Sequence, residues 1–423
     1  MAGPALRLAA EQAARTAAPM AGVPPASARA VAGEQWTQWG GPNRNFHTQA
    51  TGLKDTWPAS GPPVLWKRAL GEGYSSAAVE NGVLYTMYGK PGEEVVVAIN
   101  AGTGATIWEK TNPMKFQSDA GQEQGNGPYS TPLIAGDRLF TTGVAGRLQC
   151  LDKKTGSVVW QDELWSTHRG SRLMYGYASS PIAYRDTVVV PVGARGKSVM
   201  AFKQADGAVA WAANDFGNVY SSPLLVKVDG LEQLVLMMDG FVIGVNPLNG
   251  DLQWQVPFQA NYSIAVSTPV AGPDNLLFVS AEYDAGAKMI ELTRVGNAVK
   301  ATELWSNIRL RLHHGNAMRI GETIYFSSGG KGSQAILSAV DARSGKIHWQ
   351  ERSIQKATFV WADDKLITLD QDGTLMIAHP STAGFKISAT APLLTSLAWS
   401  PPTLVGTKLY IRDRKNLMAV ELG

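Results

Sequence analysis

The stretch Cys150-Leu-Asp152-Lys-Lys-Thr155-Gly156-Ser-Val-Val-Trp160 decides the fold, because near copies of it recur along the chain. It reads as the end of one strand, a tight turn carrying Asp152, Thr155 and Gly156, and a second strand that closes on Trp160. Gly104 precedes Trp108, Gly207 precedes Trp211, Gly250 precedes Trp254 and Gly345 precedes Trp349, all at the four-residue spacing that separates Gly156 from Trp160. The glycine supplies the positive φ of a short hairpin turn, and the polar residue before it can bond the turn's own backbone. The strand that follows then presents one indole at a fixed height. Units of roughly forty to fifty residues, each unable to bury its own faces, imply a ring of hairpin-built sheets in which every tryptophan packs on its neighbour.

A second repeat marks where each sheet opens: Tyr74-Ser-Ser, Tyr129-Ser-Thr-Pro132, Ala178-Ser-Ser-Pro181, Tyr220-Ser-Ser-Pro223, Val266-Ser-Thr-Pro269 and Trp399-Ser-Pro-Pro402. Proline is tolerated there because the first residues of a strand do not need its missing N–H. Counting closing strands gives Trp66, Trp108, Trp160, Trp211, Trp254, Trp305 and Trp349, with a degenerate unit near Phe385 to Ile387. The unit closing on Trp305 is the weakest, since Val295-Gly296 lies too far from that tryptophan. Val64-Leu65-Trp66 has no hairpin before it, and the last strands have no closing tryptophan. Joining the two ends removes two free edges. The expected fold is therefore all-β, an eight-bladed propeller of four-stranded antiparallel blades closed by its N-terminal strand, occupying residues 36–423.

Composition narrows function. A formal net charge of +3 on 423 residues, with scattered basic side chains, gives no argument for nucleic acid. Cys150 is the only cysteine, so no intrachain disulfide and no multi-cysteine zinc site is available. No run approaches eighteen consecutive apolar residues, which excludes a transmembrane helix. Residues 1–35 are alanine-rich and read as a disordered or targeting tail; Ala28-Arg-Ala30 and Ala30-Val-Ala32 resemble small-residue cleavage sites. A periplasmic or secreted location follows if the tail is an export signal. Trp36 borders this tail, so its truncation is expected to cost less than truncation of Trp160 or Trp349.

The repeat of Cys150 to Trp160 and Ala339 to Trp349, with the Trp36 to Arg44 segment, resembles the tryptophan-docking β-propellers related to pyrroloquinoline-quinone proteins. That family holds quinoprotein dehydrogenases and the non-catalytic outer-membrane-assembly lipoprotein alike, so it implies a fold and two contrasting functions. The dehydrogenase reading implies pyrroloquinoline quinone and calcium as cofactors. Glu72, Glu123, Asn126, Asp215 and Asn218 lie just before opening strands, where oxygen ligands could converge, although none maps onto the family's motif. The adjacent cysteine pair that many such enzymes carry is missing. No metal ligand or catalytic residue is assigned.

Candidate binding residues are Tyr74, Tyr129 and Tyr220 at equivalent opening positions, Trp399, His314, and Arg169 and Arg172 in the Gln161 to Tyr177 insertion. The aromatics could line a channel mouth or simply pack, and the arginines could meet carboxylates. Neighbours in a strand point to opposite sides, so His313-His314 alone makes no joint metal site. No nucleophile elbow, phosphate loop or His-Glu-x-x-His motif occurs. The sequence favours a non-catalytic exported propeller presenting a loop-rich face to a protein or small ligand; the alternative is a quinone-dependent oxidoreductase.

Overall fold

Eight four-stranded antiparallel sheets follow one another in chain order, and seven of them are simple meanders. The computed structural model describes residues 35–114, 116, 125–329 and 334–423. All of the expected tail but Gln35 therefore lies outside the described residues, as does Glu123. Blade 1 runs from its inner strand Ala78–Glu80 through Val83–Lys90 and Glu93–Asn100 to its outer strand Thr106–Pro113. Blades 2 to 7 repeat this plan, ending with the outer strand Gly384–Pro392. Middle strands are buried almost throughout because both their faces meet neighbouring blades, whereas outer strands are largely exposed.

Blade 8 is assembled from both ends of the chain. Its inner three strands are Thr403–Val405, Lys408–Arg412 and Asn416–Glu421, and Val64–Ala69 completes it. Trp66 pairs with Ala419 and Ala69 with Asn416, so the last sheet exposes no second free edge. The ring closes as the orphan strands predict.

Each repeat glycine has two jobs. Gly156 has φ +73°, and a Cβ built on it would lie 2.5 Å from the Trp108 indole of the preceding blade. Gly104 receives Trp66 in the same way, Gly207 receives Trp160, Gly250 receives Trp211 and Gly345 receives Trp305. The indole N–H then bonds a carbonyl of the next blade: Trp66 to Ala101 at 3.0 Å, Trp108 to Lys153 at 3.1 Å, Trp160 to Gln204 at 3.0 Å and Trp305 to Ala342 at 2.8 Å. Gly296 meets nothing within 4 Å; the indole N–H of Trp254, which precedes it, has no partner, and neither has that of Trp211 although Trp211 docks on Gly250. The weak unit thus lacks an indole docked on its glycine, as does blade 7, where Gly384 meets nothing within 4 Å and Trp349 bonds the Ser381 carbonyl at 2.7 Å.

The N-terminal segment before Val64 overturns one expectation. Trp36 is not loosely held: it is 1% exposed and bonds Val79 through two 2.8 Å backbone hydrogen bonds. Its carboxyl-side neighbours go on to bond Ile134, the Ser180 and Pro181 carbonyls, Thr268, Trp361, Asp363 and Leu422, which belong to five blades and, with Val79, bring the segment's partners to six of the eight. The segment is a plug, occupying the channel end toward which the inner strands run. Proximity to an alanine-rich tail reveals neither these bonds nor the burial.

Candidate functional site

The opposite channel end, where the inner strands start, carries the candidate aromatics. Tyr74, Tyr129, Tyr220, His314 and Trp399 each stand four residues before an inner strand, beginning at Ala78, Leu133, Leu224, Met318 and Thr403. Equivalent positions in a ring converge on its axis. Tyr129 stacks on Tyr74 with centroids 6.2 Å apart, Tyr74 on Trp399 at 5.1 Å, and Trp399 on His314 at 4.5 Å.

Blades 3 and 5 have only Ala178 and Val266 at that position, and other residues fill the gaps. Tyr175, from the Gln161 to Tyr177 insertion, lies 6.0 Å from Tyr220 and its backbone N–H bonds the Tyr220 hydroxyl at 3.2 Å. Tyr283, from the turn between Leu276–Ala281 and Gly286–Val295, sets its edge against His313 at 5.2 Å. Lys356, just before the strand Ala357–Ala362, completes the set: its ammonium lies 3.3 Å from His313 Nδ1 and 5.4 Å from the Trp399 ring centroid. Tyr175, Tyr283 and Lys356 were not singled out from the sequence; Lys356 precedes a blade without the Ser-Pro signal, and the two tyrosines reach the axis from other loops. His313 and His314 also differ from expectation. They sit in a loop rather than a strand, so alternation does not separate them, and their rings lie 3.7 Å apart.

Burial sets the charge of this collar. It pushes the Tyr74 and Tyr220 phenols up to about 12 and Tyr129 further, so all three are neutral donors. Burial, then Lys356, pushes His313 down to about 3; burial, His313 and Lys356 hold His314 well below the usual histidine range. Lys356 itself falls to about 8 through burial, opposed by Glu282. At neutral pH both imidazoles carry no charge, and His313 Nδ1 can accept from the Lys356 ammonium.

Arg169 and Arg172 are not brought into this collar. Both are exposed, Arg169 with φ 60°, and Arg172 lies over Trp165 at 5.9 Å. The cationic groups beside Tyr74 come from blade 8 instead. Buried Arg412 donates to the Ser75 and Met87 carbonyls at 2.7 and 2.6 Å, and Arg414 pairs with Glu72.

A family model described as outer membrane protein assembly factor BamB matches residues 51–214 and 92–351. The chain belongs to this family of PQQ-like β-propellers. Outer membrane protein assembly factor BamB of Shewanella oneidensis is 24% identical over 386 residues, 85% of this chain and 88% of that protein. The Burkholderia pseudomallei protein of the same name is 26% identical over 304 residues, covering 69% and 73%. The match to its Yersinia pestis namesake, at 24% identity, covers 62% of this chain and spans just under two thirds, 66%, of that protein. Among solved structures, quinohemoprotein alcohol dehydrogenase from Comamonas testosteroni superposes with TM-score 0.66 at 11% identity, over 94% of this chain and 82% of that one. BamB from Moraxella catarrhalis superposes with TM-score 0.60 at 14% identity, over 85% and 100%. These superpositions show the shared PQQ-like fold.

The PQQ-like fold raises the question of a quinone and calcium, and the donor set does not fit them. The collar rings stack on one another at 4.5 to 6.2 Å between centroids, which leaves no slot between successive rings for another plane. Glu72 is engaged by Arg414, and Asp215, far from it at blade 3, accepts from the Gly196 N–H of that blade's own hairpin. Asn218 is buried, its amide directed to the Pro191 carbonyl and its oxygen to Val219 N–H. Among the described residues no three His, Cys, Asp or Glu side chains converge.

Proposed function

We propose that the protein is a non-catalytic, exported β-propeller that works in the periplasm by docking a protein partner in outer-membrane protein assembly. The observation that carries this reading is the channel filled from both ends by the chain itself, the plug at one end and the stacked collar at the other. A propeller enzyme needs an open axial pocket with free acid–base groups; here the axial imidazoles are neutral and packed. The family relation supports the same reading through the name assembly factor. Recognition then falls to the loop-rich collar face, where Tyr262 stands 74% exposed beside Tyr283 and Met174 is 48% exposed on the Gln161 to Tyr177 insertion.

A strain lacking the gene tests this. Folded outer-membrane protein levels are expected to fall, to recover with the wild-type protein, and to recover poorly with a stably folded Met174→Asp, Tyr262→Asp double variant. Unchanged levels in the deletion strain, or micromolar quinone binding with calcium accompanied by dye reduction, would overturn the proposal.

A further inference from the structure

The outer strand of a blade pairs on one side only, so its far edge presents unmatched backbone N–H and C=O groups that a second chain can extend. Charged side chains or proline usually guard such an edge. Among the described residues seven of the eight outer strands are guarded: by Lys67 in Val64–Ala69, Glu109 in Thr106–Pro113, Glu163 in Val158–Glu163, Pro257 in Leu252–Pro257, Lys300 in Ala298–Asn307, Glu351 in Ile347–Glu351 and Lys386 in Gly384–Pro392. The eighth, Val209–Ala213 of blade 3, reads Val-Ala-Trp-Ala-Ala and carries neither. Ala208 and Asn214 on either side are uncharged too, and the nearest charged residues along the chain are Asp206 and Asp215.

This edge is also open. Val209 is 46% exposed, and Ala210 and Ala212 are exposed beside it. Trp211 and Ala213 turn to the other face: a Cβ on Gly250 of blade 4 would lie 2.6 Å from the Trp211 indole and 2.7 Å from the Ala213 Cβ. The side chains left standing on the open face are small. Another backbone can therefore approach to the strand spacing of about 4.8 Å with room for its own larger side chains. The bulge between Ala201 and Phe202 does not replace the missing guard, because the same bulge recurs at Ala98/Ile99, Cys150/Leu151 and Gly244/Val245 in blades that are guarded as well.

We propose that Val209–Ala213 is a docking edge that takes an extended, uncharged segment of a partner protein as a fifth strand of blade 3. Backbone chemistry fixes the occupant: only another extended chain offers donors and acceptors at the strand repeat, and an apolar edge without a counter-charge favours β-branched or aromatic side chains over charged ones. The edge lies on the wall of the ring and not on the collar, so its failure would leave the docking reading of the collar face standing.

A fluorescein-labelled peptide of alternating threonine and valine, titrated into the purified full chain, tests it by anisotropy and amide hydrogen exchange. Wild type is expected to bind with a Kd of about 100 µM or tighter, and exchange is expected to slow in Val209–Ala213 but not in the guarded outer strand Leu252–Pro257. Val209→Lys with Ala212→Lys places guards at two exposed positions, so this double variant should melt as wild type does and bind about tenfold more weakly or worse. The fully N-methylated peptide, which cannot donate backbone hydrogen bonds, should lose binding to wild type to the same degree. The exchange pattern and the N-methylated peptide read wild type alone, so they decide the matter even if the double variant folds poorly. No binding by wild type, undiminished binding by a folded double variant or of the N-methylated peptide, or slowed exchange spread evenly over other outer strands would each overturn the proposal. So would a wild-type dimer that the double variant abolishes, because the edge would then hold a second copy of this chain.

Discussion

Single side chains reveal best where burial and charge conflict, and Glu94 is the clearest case outside the collar. It is buried at the seam between blades 1 and 2, where its carboxylate accepts from the Val144 N–H at 2.9 Å. A Cβ at Gly143 would lie 2.3 Å from a Glu94 carboxylate oxygen, so only glycine leaves room for it. Burial pushes the Glu94 carboxyl up to about 7, outweighing the stabilising Val144 bond and Arg147. As pH rises from the ordinary glutamate value of about 4.5 toward 7, the unfolded chain releases this proton while the folded one keeps it, so stability falls across that window. The loss amounts to at most about 3 kcal/mol. Glu94→Gln keeps the acceptor and removes the proton, so urea midpoints of the variant should decline less between pH 5 and pH 8 than those of wild type. Parallel declines would show that Glu94 does not titrate there. None of this was legible beforehand: Glu93-Glu94 reads as an ordinary charged hairpin edge, and only the neighbouring blade makes one of the pair an interior residue.

Among elements, the docking hairpin was legible and the plug was not, for a physical reason. The hairpin's constraint is local, because glycine and tryptophan sit four residues apart and the turn demands a positive φ; five copies then show it repeatedly. The plug occurs once, and its bonds reach residues more than three hundred positions away, such as Trp361 and Leu422. A single copy with long-range partners leaves no periodic signal. The same logic separates the collar residues: Tyr74, Tyr129 and Tyr220 were found through their repeated place, whereas Tyr175 and Tyr283 arrive from unrepeated loops. Trp36 tests the plug's standing. It packs in the cluster that contains Phe46, Val79, Phe359 and Met418, so Trp36→Ala should destabilise by about 3–5 kcal/mol, as much as Trp160→Ala. Denaturant melts of the two variants decide it; a cost below about 1 kcal/mol for Trp36→Ala would mean that the plug adds little to the ring.

For the whole molecule, stability depends on joining the two ends of the chain, and the plug and the closing strand do so in different ways. Val64–Ala69 supplies the outer strand of blade 8 through its ladder with Asn416 to Val420. The preceding segment crosses the channel and bonds six blades without completing any sheet. Three truncations separate these contributions. Removing residues through Gly33 deletes none of the contacts described and should leave the melting temperature unchanged. Removing residues through Thr51 takes away the Trp36, Arg44 and Phe46 contacts but spares the ladder, so the ring stays closed and melts lower. Removing residues through Lys67 also strips Trp66 from Gly104 and exposes the Asn416–Glu421 edge, which opens the ring at its seam. The expected order of melting temperatures is therefore full chain equal to the first truncation, then the second, then the third, with aggregation specific to the third because it alone bares a strand edge. If the second and third truncations melted together without aggregation, the plug rather than the closing strand would be what holds the ring shut.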